Sequence, residues 1–230
     1  MMKKMTLLIL ALCLMLTGCG KKEEAPAAST QTPEKETVET APAASAEQPA
    51  AVINPLPEST MDNLTDAILA ISLEEGGAYV DDTGKMQMDV KIYAYDKYDM
   101  VDISQLKVGD TVVTHAGEVE VTSMEQNATG ILINGGLEEG GFDLVTDDSG
   151  IYFETGFNDA KNWYEVGEAT IRVSADFEDH DLSDPDKGDV TLYPGSFLVG
   201  EVTDYNFTPY NTTIRVEEGQ IVEMTRSFMP

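Results

Sequence analysis

The sequence predicts an all-β fold, a small barrel or sandwich, on three observations. Apolar and polar residues alternate at period two in short runs, turn signals rich in Asp and Gly separate those runs, and the one stretch that admits a helix reads better as a strand. That stretch is "STMDNLTDAILAIS" at 59–72, where Ser59 or Asp62 caps a brief helical turn and Ala67 to Leu73 begins the first long strand. Next, "KMQMDVKIYAYD" sets Met86, Met88, Val90, Ile92 and Ala94 on one face and Gln87, Asp89, Lys91, Tyr93 and Tyr95 on the other, as a strand with one buried side requires. Further strands are expected at "TVVTH", "EVEVTSM", "TGILING", "FDLVTD", "IYFETG", "ATIRVSA", "SFLVGEV", "TTIRVEE" and "QIVEMTR". Between them, "DDTGK" at 81–85, "HAGE" at 115–118, "DDSG" at 147–150 and "EEGQ" at 217–220 place glycine where a tight hairpin needs positive φ.

The pentapeptide "LEEGG" occurs at 73–77 and 137–141, each copy followed by an Asp-Asp-(Thr/Ser)-Gly turn and later by Val-Gly-(Asp/Glu), at 108–110 and 166–168. The order is preserved while the offsets drift, so two readings stand: related β-subdomains at 56–127 and 128–230, or one domain over 56–230. Residues 102–124, "DISQLKVGDTVVTHAGEVEVTSM", resemble the strand pairs of small SH3-like or OB-like barrels, in which a Gly-Asp turn introduces a strand. That resemblance speaks to fold class and not to function.

The N-terminus carries a separate message. Lys3 and Lys4 precede an apolar run from Met5 to Leu16, the layout of an export signal and too short for a helix that needs about 20 apolar residues to cross a bilayer. Leu16, Thr17, Gly18 and Cys19 resemble the lipobox of bacterial lipoproteins. The resemblance implies removal of residues 1–18 and a diacylglyceryl group on Cys19, whose paired acyl chains hold a protein at a membrane without a spanning helix. Cys13 leaves with the signal, so no disulfide, thiolate nucleophile or cysteine metal site is expected in the mature chain. Residues 19–55 contain no aromatic residue and are spaced by Pro26, Pro33, Pro42, Pro49 and Pro55, the composition of a disordered tether with a coil span of roughly 30–35 Å.

Forty-two acidic residues against 14 basic ones give a formal net charge of −28, and loss of Lys3 and Lys4 makes the balance more negative still. Such a field repels phosphate backbones, which excludes nucleic-acid binding and favours cations and basic partners. The densest acidic run, "ADFEDHDLSDPDKGD" at 175–189, makes Asp179, Asp181, Asp184 and Asp186 candidate calcium ligands, although no EF-hand register fits it. His115, beside the "HAGE" turn, is expected to be exposed or locally hydrogen-bonded, and His180, among carboxylates, is expected to favour its charged form. Two distant histidines without a usable cysteine argue against zinc, and Ser196 in "YPGSFLVG" lacks the G-x-S-x-G elbow. No catalytic residue is assigned, and an envelope hydrolase using carboxylates is the least favoured reading.

Trp163, Tyr164, Tyr205 and Tyr210 fall in expected loops and are the candidate ligand-binding residues, against the plainer expectation that they plug barrel ends with their polar tips in water. The functional expectation is a lipid-anchored interaction module on the extracytoplasmic face of the cell membrane, with an envelope protein or glycan as partner, and a carbohydrate- or calcium-dependent recognition domain as the narrower alternative.

Overall fold

A computed structural model of the chain describes residues 49–229, apart from 129, 147–148 and 157–159. The signal segment, Cys19 and most of the tether lie outside the described residues, as does part of the turn at 147–150. In chain order the strands are β1 (Val52–Ile53), β2 (Ala67–Val80), β3 (Met86–Ala94), β4 (Lys97–Tyr98), β5 (Thr111–Thr114), β6 (Gly117–Glu120), β7 (Met124–Gln126), β8 (Gly130–Ile133), β9 (Phe142–Thr146), β10 (Tyr152–Thr155), β11 (Tyr164–Leu182), β12 (Val190–Leu192), β13 (Thr212–Glu217) and β14 (Gln220–Ser227). Two short helices, α1 (Met100–Ser104) and α2 (Pro194–Leu198), and two 3-10 turns complete the described chain. The fold is all-β, and among the described residues no helix is long and apolar enough to cross a membrane.

The largest sheet runs β12-β11-β14-β13-β2-β3, and β11 also pairs with β3, so the sheet curls back on itself without forming a clean closed barrel. Length makes this double pairing work. The first half of β11 lies antiparallel to β3 from Tyr164↔Ala94 to Arg172↔Gln87, and from Arg172 to Leu182 it runs parallel to β14, with a register shift between Val173 and Glu178. Strand β3 buries Met88, Val90, Ile92 and Ala94 as its alternation predicts. Met88, Val90 and Ile92 join Ile71, Leu73, Phe177, Ile214, Ile221 and Met224 in the larger core, each fully buried apolar side chain of this size stabilising by about 1.5–3 kcal/mol.

The smaller core joins a three-stranded sheet, β1-β5-β6, to a five-stranded one, β4-β10-β9-β8-β7, through Ile53, Tyr98, Ile103, Val112, Ile133, Phe142 and Leu144. Every strand of this unit except β1 comes from between β3 and β11. Residues 97–155 are therefore inserted between two strands that are themselves paired, and the chain leaves and re-enters the large sheet at adjacent points, Ala94 and Tyr164. The division expected at 127/128 falls inside the antiparallel β7–β8 pair, so the two cores do not part there.

Three local expectations change. Folded structure begins before residue 55: β1 pairs in parallel with β5, Ile53 is buried, and the Ala51 amide donates to the Asp110 carboxylate at 2.8 Å. "SFLVGEV" is not a strand, because Pro194 opens a helical turn whose Ser196 hydroxyl accepts from the Tyr193 amide, and this local capping sends Phe197 into the core. The two "LEEGG" copies also differ: 73–77 is a bulge within β2, whereas Leu137–Glu139 is a 3-10 turn. What they share is a glycine with positive φ at the fourth position, Gly76 at 84° and Gly140 at 88°.

Candidate site at the neck of the inserted unit

The crossing between the two sheets gathers chemistry that no spacing in the sequence reveals. Asp96 follows β3 by two residues and continues its inward phase, so a carboxylate stands in the row of Met88, Val90, Ile92 and Ala94, buried to 3 % exposure. His115 occupies the two-residue tip of the β5–β6 hairpin, where Thr114 pairs with Gly117. Glu154 lies in β10, which is held beside the neck by pairing with β4. The returning chain supplies Lys161, Asn162, Trp163 and Tyr164.

Asp96 organises the group. Its Oδ2 accepts the His115 backbone N–H at 2.6 Å and lies 3.0 Å from His115 Nδ1, while its Oδ1 accepts from the Tyr164 hydroxyl at 3.3 Å. The Tyr164 ring stacks on the imidazole, with centroids 4.3 Å apart and planes 15° from parallel. Glu154 Oε1 accepts from the Asn162 amide at 2.7 Å, but Glu154 Oε2 is buried with no hydrogen-bond partner. Burial raises the Glu154 carboxyl above the ordinary range, and the Asn162 bond opposes that only in part. The Tyr164 phenol is pushed up to about 12, first by burial and then by the charge of Asp96. Tyr98, wholly buried beneath the neck, donates its hydroxyl to the Val113 carbonyl at 3.0 Å. Among the described residues, Asp96, His115 and Glu154 are the His, Cys or carboxylate groups whose potential donor atoms converge, all within 4.8 Å of one another.

Their neighbours in sequence form an aromatic group. The Tyr95 ring meets Trp163 edge-on at 4.9 Å and Phe153 at 5.9 Å, and the Lys161 ammonium sits 4.3 Å from the Tyr95 centroid and 5.8 Å from that of Trp163. Tyr95, Lys161 and Trp163 are each only partly buried. Of the four aromatic residues expected to bind ligand, the neck brings together Trp163 and Tyr164. Tyr205 instead packs its ring against Phe207 and the larger core, and Tyr210 is an exposed residue in the turn before β13.

The four candidate calcium ligands do not form a common cage. Asp181 is bound through both oxygens to Arg226, Asp184 pairs with Lys187 at 3.0 Å, Asp186 is exposed, and Asp179 is fully buried in β11 with neither oxygen hydrogen-bonded. A groove of about 680 Å³ is lined by Asp181, Asp184, Lys187 and Arg226, so its carboxylates already face cationic side chains. His180 behaves as its surroundings predict, its pKa raised chiefly by the hydrogen bond between Nδ1 and Asp189.

Sequence reasoning missed Asp96 and Glu154. Asp96 was detectable in principle, as an acid in phase with a buried strand face; Glu154 was not, because β10 buries residues on both faces. Comparison with family models, with curated proteins and with solved structures finds no match for this chain.

Proposed function

We propose that this chain is a binding module displayed on the extracytoplasmic face of a cell membrane, carried on lipid at Cys19 and a disordered tether, with the neck of its acidic β domain as the recognition surface. The observation that carries the reading is the partly exposed group of Tyr95, Trp163 and Lys161, packed together where the chain leaves and re-enters the large sheet. Rings stack on the apolar faces of sugars, and a lysine ammonium donates hydrogen bonds to their oxygens, so an envelope glycan is the ligand class this mixture fits best. The strong negative charge supports the same reading by excluding nucleic acid. The lipobox resemblance supplies the anchor, and two acyl chains suffice for stable membrane residence.

Trp163 is the single tryptophan of the chain, which makes its emission a direct report. Titration with envelope glycan fragments is expected to give a saturable change in emission that Tyr95→Ala weakens at least tenfold. Emission that stays constant across the panel sinks the glycan assignment. Cys19→Ala is expected to move the protein from the membrane to the soluble fraction, and unchanged fractionation removes the anchor.

A further inference from the structure

We propose that Asp96, His115 and Glu154 form a binding site for a zinc-class divalent cation, with one imidazole nitrogen and two carboxylate oxygens as protein ligands. The inference stands on the polar cluster alone and does not depend on what the neighbouring rings bind. The three groups come from the end of β3, the β5–β6 hairpin and β10, yet their potential donor atoms lie within 4.8 Å of one another. An independent observation points to a ligand. Glu154 is 8 % exposed and its Oε2 has no hydrogen-bond partner, although burying an anionic oxygen unpaired is costly enough that proteins rarely tolerate it.

The donor set selects the metal. One imidazole with two carboxylates suits zinc and its neighbours in the first transition series, whereas calcium takes 6–8 oxygens and uses no nitrogen. Three protein ligands leave at least one coordination position for water or a ligand group, the pattern of an open zinc site rather than a closed structural one. Ligand distances of about 2.0–2.2 Å put tetrahedral donors roughly 3.4 Å apart. The Asp96 Oδ2 to His115 Nδ1 separation of 3.0 Å is a hydrogen-bond distance inside that spacing and the widest donor separation in the cluster is at most 4.8 Å, so a cation needs these two groups to part slightly and the third to close.

Each ligand also has an outer partner that orients it, as metal ligands ordinarily do. Tyr164 donates to Asp96 Oδ1 and stacks on His115, and Asn162 fixes Glu154 Oε1, which leaves Oε2 to turn toward the cation. On binding, His115 ligates as the neutral imidazole through the Nδ1 lone pair, with its one ring hydrogen on Nε2, and the cation takes the place of the Nδ1 contact with Asp96 Oδ2. Asp96 Oδ2 then loses the ring hydrogen bond but retains the one from the His115 backbone N–H. Two carboxylates and a neutral imidazole balance the dipositive charge, which removes the electrostatic cost of facing two acids across the neck.

Isothermal titration of the full chain with zinc chloride tests the site. One tight equivalent per chain is expected, resistant to millimolar magnesium and calcium, against a background of weak surface binding that magnesium abolishes. Glu154→Gln and His115→Gln are each expected to weaken the tight equivalent at least 100-fold, whereas Asp184→Asn leaves it unchanged. Glu154→Gln keeps the size of the side chain and an oxygen for Asn162, and its thermal melt without metal establishes that it is folded. Cobalt added in place of zinc gives a second readout, visible absorption bands that require the imidazole and vanish in His115→Gln. Absence of a tight equivalent, or a tight equivalent that survives both substitutions in folded protein, overturns the proposal.

Discussion

Arg226→Met is expected to cost about 3–5 kcal/mol of folding stability, the largest single loss foreseen for a side chain outside the apolar cores. The guanidinium is 5 % exposed and fully engaged: Nε donates to Asp181 Oδ1 at 3.1 Å, Nη2 to Asp181 Oδ2 at 2.5 Å and Nη1 to the Asp204 carbonyl at 2.7 Å. Its carbon centre lies 4.6 Å from the Phe207 ring centroid. Removing the cation strands Asp181, whose side chain is 15 % exposed and whose other partner is Ser183. Burial alone pushes the Asp181 carboxyl up, but the bonds from Arg226 and Ser183 outweigh it and hold the pKa below the usual value. Chemical denaturation at neutral pH measures the loss. Adding Asp181→Leu to Arg226→Met is expected to recover a large part of it, because the penalty is an unpaired charge rather than a missing attraction. A double variant as unstable as the single one refutes that explanation.

The second large effect is one of pH. Asp179 has no exposure and no hydrogen-bond partner for either oxygen, and burial, aided by the charge of Asp181, pushes its pKa up to about 7 against the pull of Arg226. Between the ordinary aspartate value and about 7 the folded state therefore binds a proton that the unfolded chain does not, and stability falls as pH rises through that window. The expected fall is about 4 kcal/mol between pH 4 and pH 7.5, with no further change from this group at higher pH. Asp179→Asn mimics the protonated acid. It is expected to match the wild type near pH 4 and to exceed it at pH 8 by several kcal/mol, a rise in melting temperature on the order of 10 °C. The lowered pKa of Asp181 acts in the opposite sense, since its contribution is present above the unfolded value and is lost as acid titrates the folded carboxylate. A variant whose melting curve tracks the wild type at every pH removes Asp179 as the cause. The general relief of charge repulsion in acid is common to both proteins and cancels in this comparison.

Much of the scaffold was written in local pattern. The alternation in "KMQMDVKIYAYD" gave β3 its buried face, and the "EEGQ" turn closes β13 on β14 with Glu218 and Gly219 both at positive φ, as a two-residue hairpin demands. The helical turn at Thr60–Asp62 followed by a strand from Ala67 is also as the pattern predicts. Pattern failed where a few atoms override propensity. Pro194 and Ser196 turned a β-rich run into α2, and pairing with β5 drew Val52 and Ile53 out of a proline-rich segment whose composition signals disorder. The long β11 was legible only in its middle, because its acidic end carries the charge expected of a loop and is held as strand by pairing with β12 and β14.

The site was less legible than the scaffold for a physical reason. A periodicity reports which face of an element is buried, whereas the neck depends on which elements meet, and Asp96, His115 and Glu154 belong to three that are adjacent only after the insertion has folded. The pairing of Tyr164 with Ala94 across the inserted unit sets that adjacency, and it is a long-range contact to which no short segment testifies. Trp163 and Tyr164 were singled out as exposed aromatic residues, but their neighbours were invisible.

X-ray absorption at the zinc edge of the loaded full chain tests the neck as a built ligand site most directly, and with only two histidines in the chain the spectrum is simple to assign. The expected result is a shell of nitrogen and oxygen donors at about 2.0–2.1 Å with the multiple-scattering pattern of one imidazole, lost in His115→Gln and retained in His180→Gln. A shell of oxygens alone, or an imidazole pattern that persists without His115, would contradict the account.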